Sequence, residues 1–275
     1  MLDFVLWFMV GSMLLALVPN RIAVNGTTVY LHRQLTHHSL ELHPWLEMAY
    51  RFGLWMTTGI VRMIWEAIHR KHHRYADRIG DPHSPYLAGF WPIQFGNVFK
   101  YIEAKEEPGL LAKWSHTKED ALDRLLFNKG WLGLLIGTTL LVLIAAFLNR
   151  NGWWINVGSA WLNLLVGGLV GLTAAVMHAV AYVFFQSSSV NGLCHYPHPL
   201  GYQRWIDRTS TTFNNLIVAI FTDGEGLHHN HHAFQSSARL AMTKLEVCFD
   251  PGWWTIWIYK HLGLARNVRV TPLVS

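Results

Sequence analysis

Two cysteines, Cys194 and Cys248, are all the chain has, and two thiols build neither a disulfide scaffold nor a thiolate zinc site. Cys194 is read instead as a small apolar residue beside His195. Charge is thin as well: Lys, Arg, Asp and Glu make up 14% of the residues, and from Asn151 to Gln203 there is none. A soluble domain needs more than that to solvate its surface, so an ordinary soluble globule is excluded. The opening stretch, MLDFVLWFMVGSMLLALV, lacks the basic start and small-residue cleavage site of a secretory leader. It is therefore expected to be a retained membrane segment. There is no RNA- or DNA-binding motif, and the aromatic residues lie in apolar runs away from the basic ones, which excludes nucleic acid as a partner. No repeat or low-complexity linker interrupts the chain, so residues 1–275 are expected to form one membrane domain.

What is plentiful is apolar: 51% of residues are hydrophobic and 14 are Trp. A bilayer is the solvent that this composition suits. Net charge is +5, and ten of the 22 Lys and Arg fall between Glu66 and Lys129, whereas the short loop NRNG (149–152) carries only Arg150. That asymmetry assigns the 66–129 segment to the cytoplasm. A helix over Phe4–Leu31 would be roughly 42 Å long and one over Trp153–Gln186 roughly 51 Å, each longer than a hydrocarbon core of about 30 Å. GWLGLLIGTTLLVLIAAFL (130–148) supplies a third span.

PWLEMAYRFGLWMTTGIVRMIW (44–65) has only about ten charge-free residues, between Arg51 and Arg62, too few to cross a bilayer. It is expected to lie in the interface as one amphipathic helix with Glu47 and Arg51 paired at i, i+4. The fold class is thus all-α and integral to the membrane, with three spanning helices, or four if Pro19-Asn20-Arg21 splits the first. Interfacial helices, among them the C-terminal WWTIWIYKHLGLARNVRV, and a cytoplasmic cap complete it.

The signal for chemistry is histidine. There are 17, and they cluster in HRQLTHH (32–38), HRKHH (69–73) and HHNHH (228–232). On a helix His69, His72 and His73 share one face, and His228, His231 and His232 repeat the spacing. His32 and His37 would stand about 140° apart on an ideal α-helix, so that helix is expected to end or bend between them. Neutral imidazoles gathered this densely point to a transition metal, since without one their mutual burial is costly. With His195 after the last span there are nine candidates: His32, His37, His69, His72, His73, His195, His228, His231 and His232. One ion takes about six ligands at most, so two metals are the simpler count.

His43, His83, His116, His178, His198 and His261 are read as structural or surface residues. His229, which occupies the place of Arg70, is read as a neighbour. Glu66-Ala-Ile-His69 and Glu225-Gly-Leu-His228 also fit the E-x-x-H spacing of carboxylate-bridged bundles. That scheme needs two more glutamates and leaves four clustered histidines without a role. Glu66 and Glu225 are therefore expected to accept N–H bonds from ligating imidazoles.

HRQLTH, HRKHH and HHNHH resemble the three histidine boxes of membrane fatty-acyl desaturases, and GDPHSP (80–85) with GEGLHHNHHAF (224–234) resembles the delta-9 branch. VNGLCH (190–195) is similar to the N-x-x-x-H element that follows the last span of acyl-CoA desaturases, although its wording departs from the commoner one. The resemblance implies a cis double bond placed in a saturated acyl chain, with two iron ions as cofactor, dioxygen as oxidant and two electrons from a docking donor of ferredoxin, rubredoxin or cytochrome type. It implies an acyl lipid or acyl thioester as substrate, His195 as a ligand and Asn191 holding a metal through water. Trp65, on the His69 face, is a candidate for lining the acyl channel or for anchoring at the interface.

With 275 residues and no added soluble domain, the expected setting is a bacterial inner membrane with the site on the cytoplasmic side. Two alternatives stand beside this: a related di-iron hydroxylase or ketolase of alkanes, carotenoids or lipids, and a non-enzymatic metal carrier. The carrier would put its ligands inside the spans, where only His178 lies.

Overall fold

The computed structural model describes residues 2–206 and 210–274. It is mostly helical; the strands among the described residues are Glu41–Leu42 and Ala265–Arg266, paired antiparallel. Among the described residues, three helical stretches are long and apolar enough to cross a bilayer: Leu2–Thr36, Gly130–Asn149 and Ala160–His195. Pro19 lies inside the first without ending it, as Pro does in membrane helices. The chain divides into two compact units, residues 1–23, 51–60 and 121–182 in one and 24–50, 61–120 and 183–275 in the other.

In the first unit, glycines let backbones close on one another. A Cβ on Gly133 would collide with the Trp55 carbonyl oxygen, and one on Gly171 would lie 2.8 Å from that of Leu141, the small-residue packing of helices that have no hydrophobic effect to join them. The second long apolar helix was expected from Trp153 but begins at Ala160, capped by the Ser159 hydroxyl. Asparagines explain the shift: the Asn149 side chain bonds both the N–H and the C=O of Ile155, and Asn163 accepts from Val157 N–H. Side-chain amides thus hold residues 150–159 in a loop.

Segment 44–65 is likewise not one helix. Pro44–Thr58 ends at Gly59, whose φ of +66° suits glycine, and a new helix runs Arg62–Tyr75. Arg51 meets buried Asp123 at 2.9 Å over the Phe127 ring, and Glu47 accepts from Gln34.

The second unit carries the histidines. The first long helix widens over Gly26–Thr36 into π turns, with His37 N–H bonded to the His32 carbonyl at 3.1 Å. Arg62–Tyr75 packs through Ala67 and Ile68 on Ala104 and Leu110. The short helix His228–Ala233 follows Leu227, which is buried with Ala219, Leu240 and Ala241. Buried Arg33 gathers the chain around these elements, donating to the Ala238 carbonyl, the Asp223 carbonyl and the Asp250 carboxylate at 2.9–3.1 Å. Asn230 does the same within the third box, accepting from Asn214 and donating to the Leu240 carbonyl and Glu246.

Candidate metal centre

The nine clustered histidines fall into two groups with no shared member: His32, His37, His69, His73 and His231, and His72, His195, His228 and His232. Within each group one nitrogen per ring lies within 4.8 Å of all the others. Helix register makes the division. Residues four apart stand nearly in line while the third diverges, so His69 and His73 join the first group and His72 the second. The third box is reversed: His228 and His232 join the second group and His231 the first.

His32 and His37 reach the same group because the bend expected between them is a π turn instead. An i→i−5 bond brings a residue about one turn above the fifth before it, and their rings come within 4.8 Å.

The close ring contacts respect the same division. Nε2 to Nε2, His32–His231, His231–His73, His73–His69 and His69–His37 are 2.9–3.2 Å apart in the first group, and His195–His228 and His228–His232 2.9–3.2 Å apart in the second. Two neighbouring ligands bound at about 2.1 Å stand about 3.0 Å apart at a right angle, so the residues fit a metal at the middle of each group. His72 adds a buried Nε2 that has no hydrogen-bond partner among the described residues. Burial, and after it the neighbouring imidazoles, hold His37, His69, His73, His228, His231 and His232 well below the ordinary imidazole range. They are therefore neutral at pH 7, the form that ligates.

Three carboxylates stand behind the rings. Glu225 lies 2.6 Å from His32 Nδ1, Asp81 3.0 Å from His72 Nδ1, and Asp77 3.0 Å from His195 Nδ1. A carboxylate on Nδ1 leaves the Nε2 lone pair for a metal. Burial raises the carboxyl groups, but His72 outweighs it at Asp81, His195 and Thr211 at Asp77, and His32 with Arg33 at Glu225, so all three are held below the usual range. At His72 burial acts downward, and Asp81 and Asp77 together outweigh it and push the imidazole up.

Glu225, in the turn before His228, thus faces an imidazole, that of His32 on the first long helix. Glu66 does not. Its oxygens accept from the Ser115 hydroxyl and from His116 and Thr117 N–H, so it anchors the 115–117 segment, a correction to its expected place beside a ligand. Asp77 and Asp81 were missed; the available signal was two aspartates four and eight residues past HRKHH, where the chain turns back.

Trp65 stacks on His69 at 4.7 Å and meets His32 edge-on at 6.2 Å. Asn191 ends the short helix Ser188–Asn191, four residues before His195, and is half-buried. His229 enters neither group. It is fully buried, stacked on Trp205 and within 3.1 Å of the Trp205 carbonyl. His83, read as structural or surface, is buried with its ring 4.6 Å from that of His72.

A helical chain with membrane-length apolar helices and two histidine groups that could each hold a metal ion fits the class of membrane metalloenzymes. The profile of the fatty acid desaturase family matches residues 5–245. The chain is 32% identical to a delta-9 desaturase-like 2 protein of Arabidopsis thaliana over 88% of its own length and 72% of the other. It is also 32% identical to an acyl-CoA 5-desaturase of Anemone leveillei, over 90% and 68%, and 29% identical to delta-9 acyl-lipid desaturase 1 of Arabidopsis thaliana, over 93% and 74%. The chain belongs to the fatty acid desaturase family and is an oxidoreductase acting on an acyl substrate in a membrane setting. These relatives are plant proteins, so the expected bacterial membrane gains no support from them.

Proposed function

We propose that the chain is one domain that places a cis double bond at the delta-9 position of a saturated acyl chain, with two irons, dioxygen and two electrons from a docking donor. The observation that carries this reading is the division of nine imidazoles into groups of five and four, in a chain whose GDPHSP and GEGLHHNHHAF contexts are of delta-9 type. Two irons supply the oxidising power to take hydrogen from an unactivated methylene, which no side chain has.

The protein's part is to hold and shield. His32, His37, His69, His73 and His231 bind one ion; His72, His195, His228 and His232 bind the other, with Asn191 reaching it through water. Glu225, Asp81 and Asp77 fix the tautomers of His32, His72 and His195. Trp65 walls the acyl chain beside His69, and its stacking on that ring supports this place. The basic 66–129 segment supports a cytoplasmic site and a surface for a donor of ferredoxin, rubredoxin or cytochrome type.

The test is expression in a host that lacks the activity, with and without air, followed by mapping of the double bond. A new cis-9 bond that appears only in air is expected. Unaltered lipids in air, with folded, iron-loaded protein and a competent donor, would refute it.

A further inference from the structure

The four-histidine group is buried throughout, its members 1–5% exposed, so an ion reaches it only past a wall. One wall is the loop Ala76–Ser84, which carries Asp77 and Asp81. Its residues Gly80, Asp81, Pro82 and Ser84 border an open hollow of about 440 Å³ that Lys71, Leu87 and Lys100 also line. Asp81 also belongs to a second cluster, in which His72, Asp81 and His83 each offer one donor atom within 4.8 Å of the others.

His83 has no part in the site described above. It is 6% exposed, and its Nε2 is buried with no hydrogen-bond partner among the described residues, which is costly for a polar atom that serves nothing. The His72 ring bridges the two places: Nδ1 is on the Asp81 side, and Nε2, also unpartnered, is left for the four-histidine group.

We propose that His83, Asp81 and His72 form a waiting position at which a divalent cation is held on its way into the four-histidine group. An imidazole and a carboxylate suit the borderline transition metals that the group itself takes. While the ion waits on Nδ1, the His72 ring proton sits on Nε2, and it returns to Nδ1, facing Asp81, when the ion moves on and Nε2 becomes the ligand. The inference rests on the metal-site reading above.

It is tested with metal-stripped full-length protein in detergent, using Co²⁺ as the probe and following its visible absorbance after mixing. Wild type takes up two ions per chain. His83→Gln is expected to reach the same two ions with the same final affinity, but with uptake into one site several-fold slower. Leu87→Trp, which narrows the hollow from outside and touches no donor, is expected to slow the same phase, and it decides alone if the His83 variant does not fold. Wild-type uptake rates in both variants would overturn the proposal. So would loss of one ion at equilibrium in His83→Gln, which would make His83 a resident ligand. Binding of no Co²⁺ by wild type would remove the metal-site reading itself.

Discussion

At His72 the two ring nitrogens face different partners: Nδ1 has Asp81 at 3.0 Å, and Nε2 is buried without one. In the proposed site that arrangement would let the ring ligate through Nε2 while the carboxylate orients it. Asp81→Asn and Asp77→Asn are each expected to weaken binding of one ion by about 10–100-fold and leave the other unchanged, measured by competition with a chelator of known affinity. Equal weakening of both ions would argue against the division. His72→Ala is expected to abolish desaturation with loss of one metal per chain. His229→Ala is expected to keep both metals yet lower the melting temperature, by about 2 kcal/mol of stability, because its ring is packed on Trp205 and bonded to a carbonyl. A retained melting temperature, or a lost metal, would contradict this.

Among the elements, the third box stands where Arg33 puts it. Arg33 is 1% exposed and ties Asp250, Asp223 and Ala238 together from the helix that carries His32. Removing it leaves the buried Asp250 charge without its cation, held only by the N–H groups of Leu240, Ala241 and Trp253, so Arg33→Met is expected to destabilise by about 3 kcal/mol, read from thermal unfolding in detergent; a loss under about 1 kcal/mol would show the clamp to be incidental.

The boxes were legible because i, i+3, i+4 spacing survives any packing. Their sharing out was not, since it depends on where His72 and His231 point in space. The bend between His32 and His37 was legible as a conflict with an α-helix, while its resolution by π turns was not. The break at Gly59 and the loop at 153–159 were hidden because they turn on a positive φ and on asparagine side chains that catch backbone groups, where hydropathy still reads as continuous. Asp77 and Asp81 were missed because their spacing past HRKHH is only a weak signal, and tertiary contact is what sets them apart from surface aspartates.

For the whole molecule, most perturbed groups at the centre respond to acid in the same direction. The six imidazoles with lowered values resist protonation when folded, whereas the unfolded chain takes up protons near pH 6.5. The unfolded state then binds more protons, so their stability is present above about pH 6.5 and lost below it. Asp77, Asp81 and Glu225, held low, add stability present above about pH 4 and lost as pH falls further. His72, held high, opposes the trend, its contribution being lost as pH rises. Metal-stripped protein is therefore expected to melt at a lower temperature at pH 5 than at pH 7.5. A flat or rising profile toward acid would mean that these imidazoles are not neutral when folded.

The division of the boxes between two ions is the central claim, and anomalous scattering at the iron absorption edge, from crystals of protein loaded with iron, tests it most directly. The account predicts two peaks, one bounded by His32, His37, His69, His73 and His231 and the other by His72, His195, His228 and His232. A single peak, or two peaks with His69, His72 and His73 all on the same ion, would contradict it.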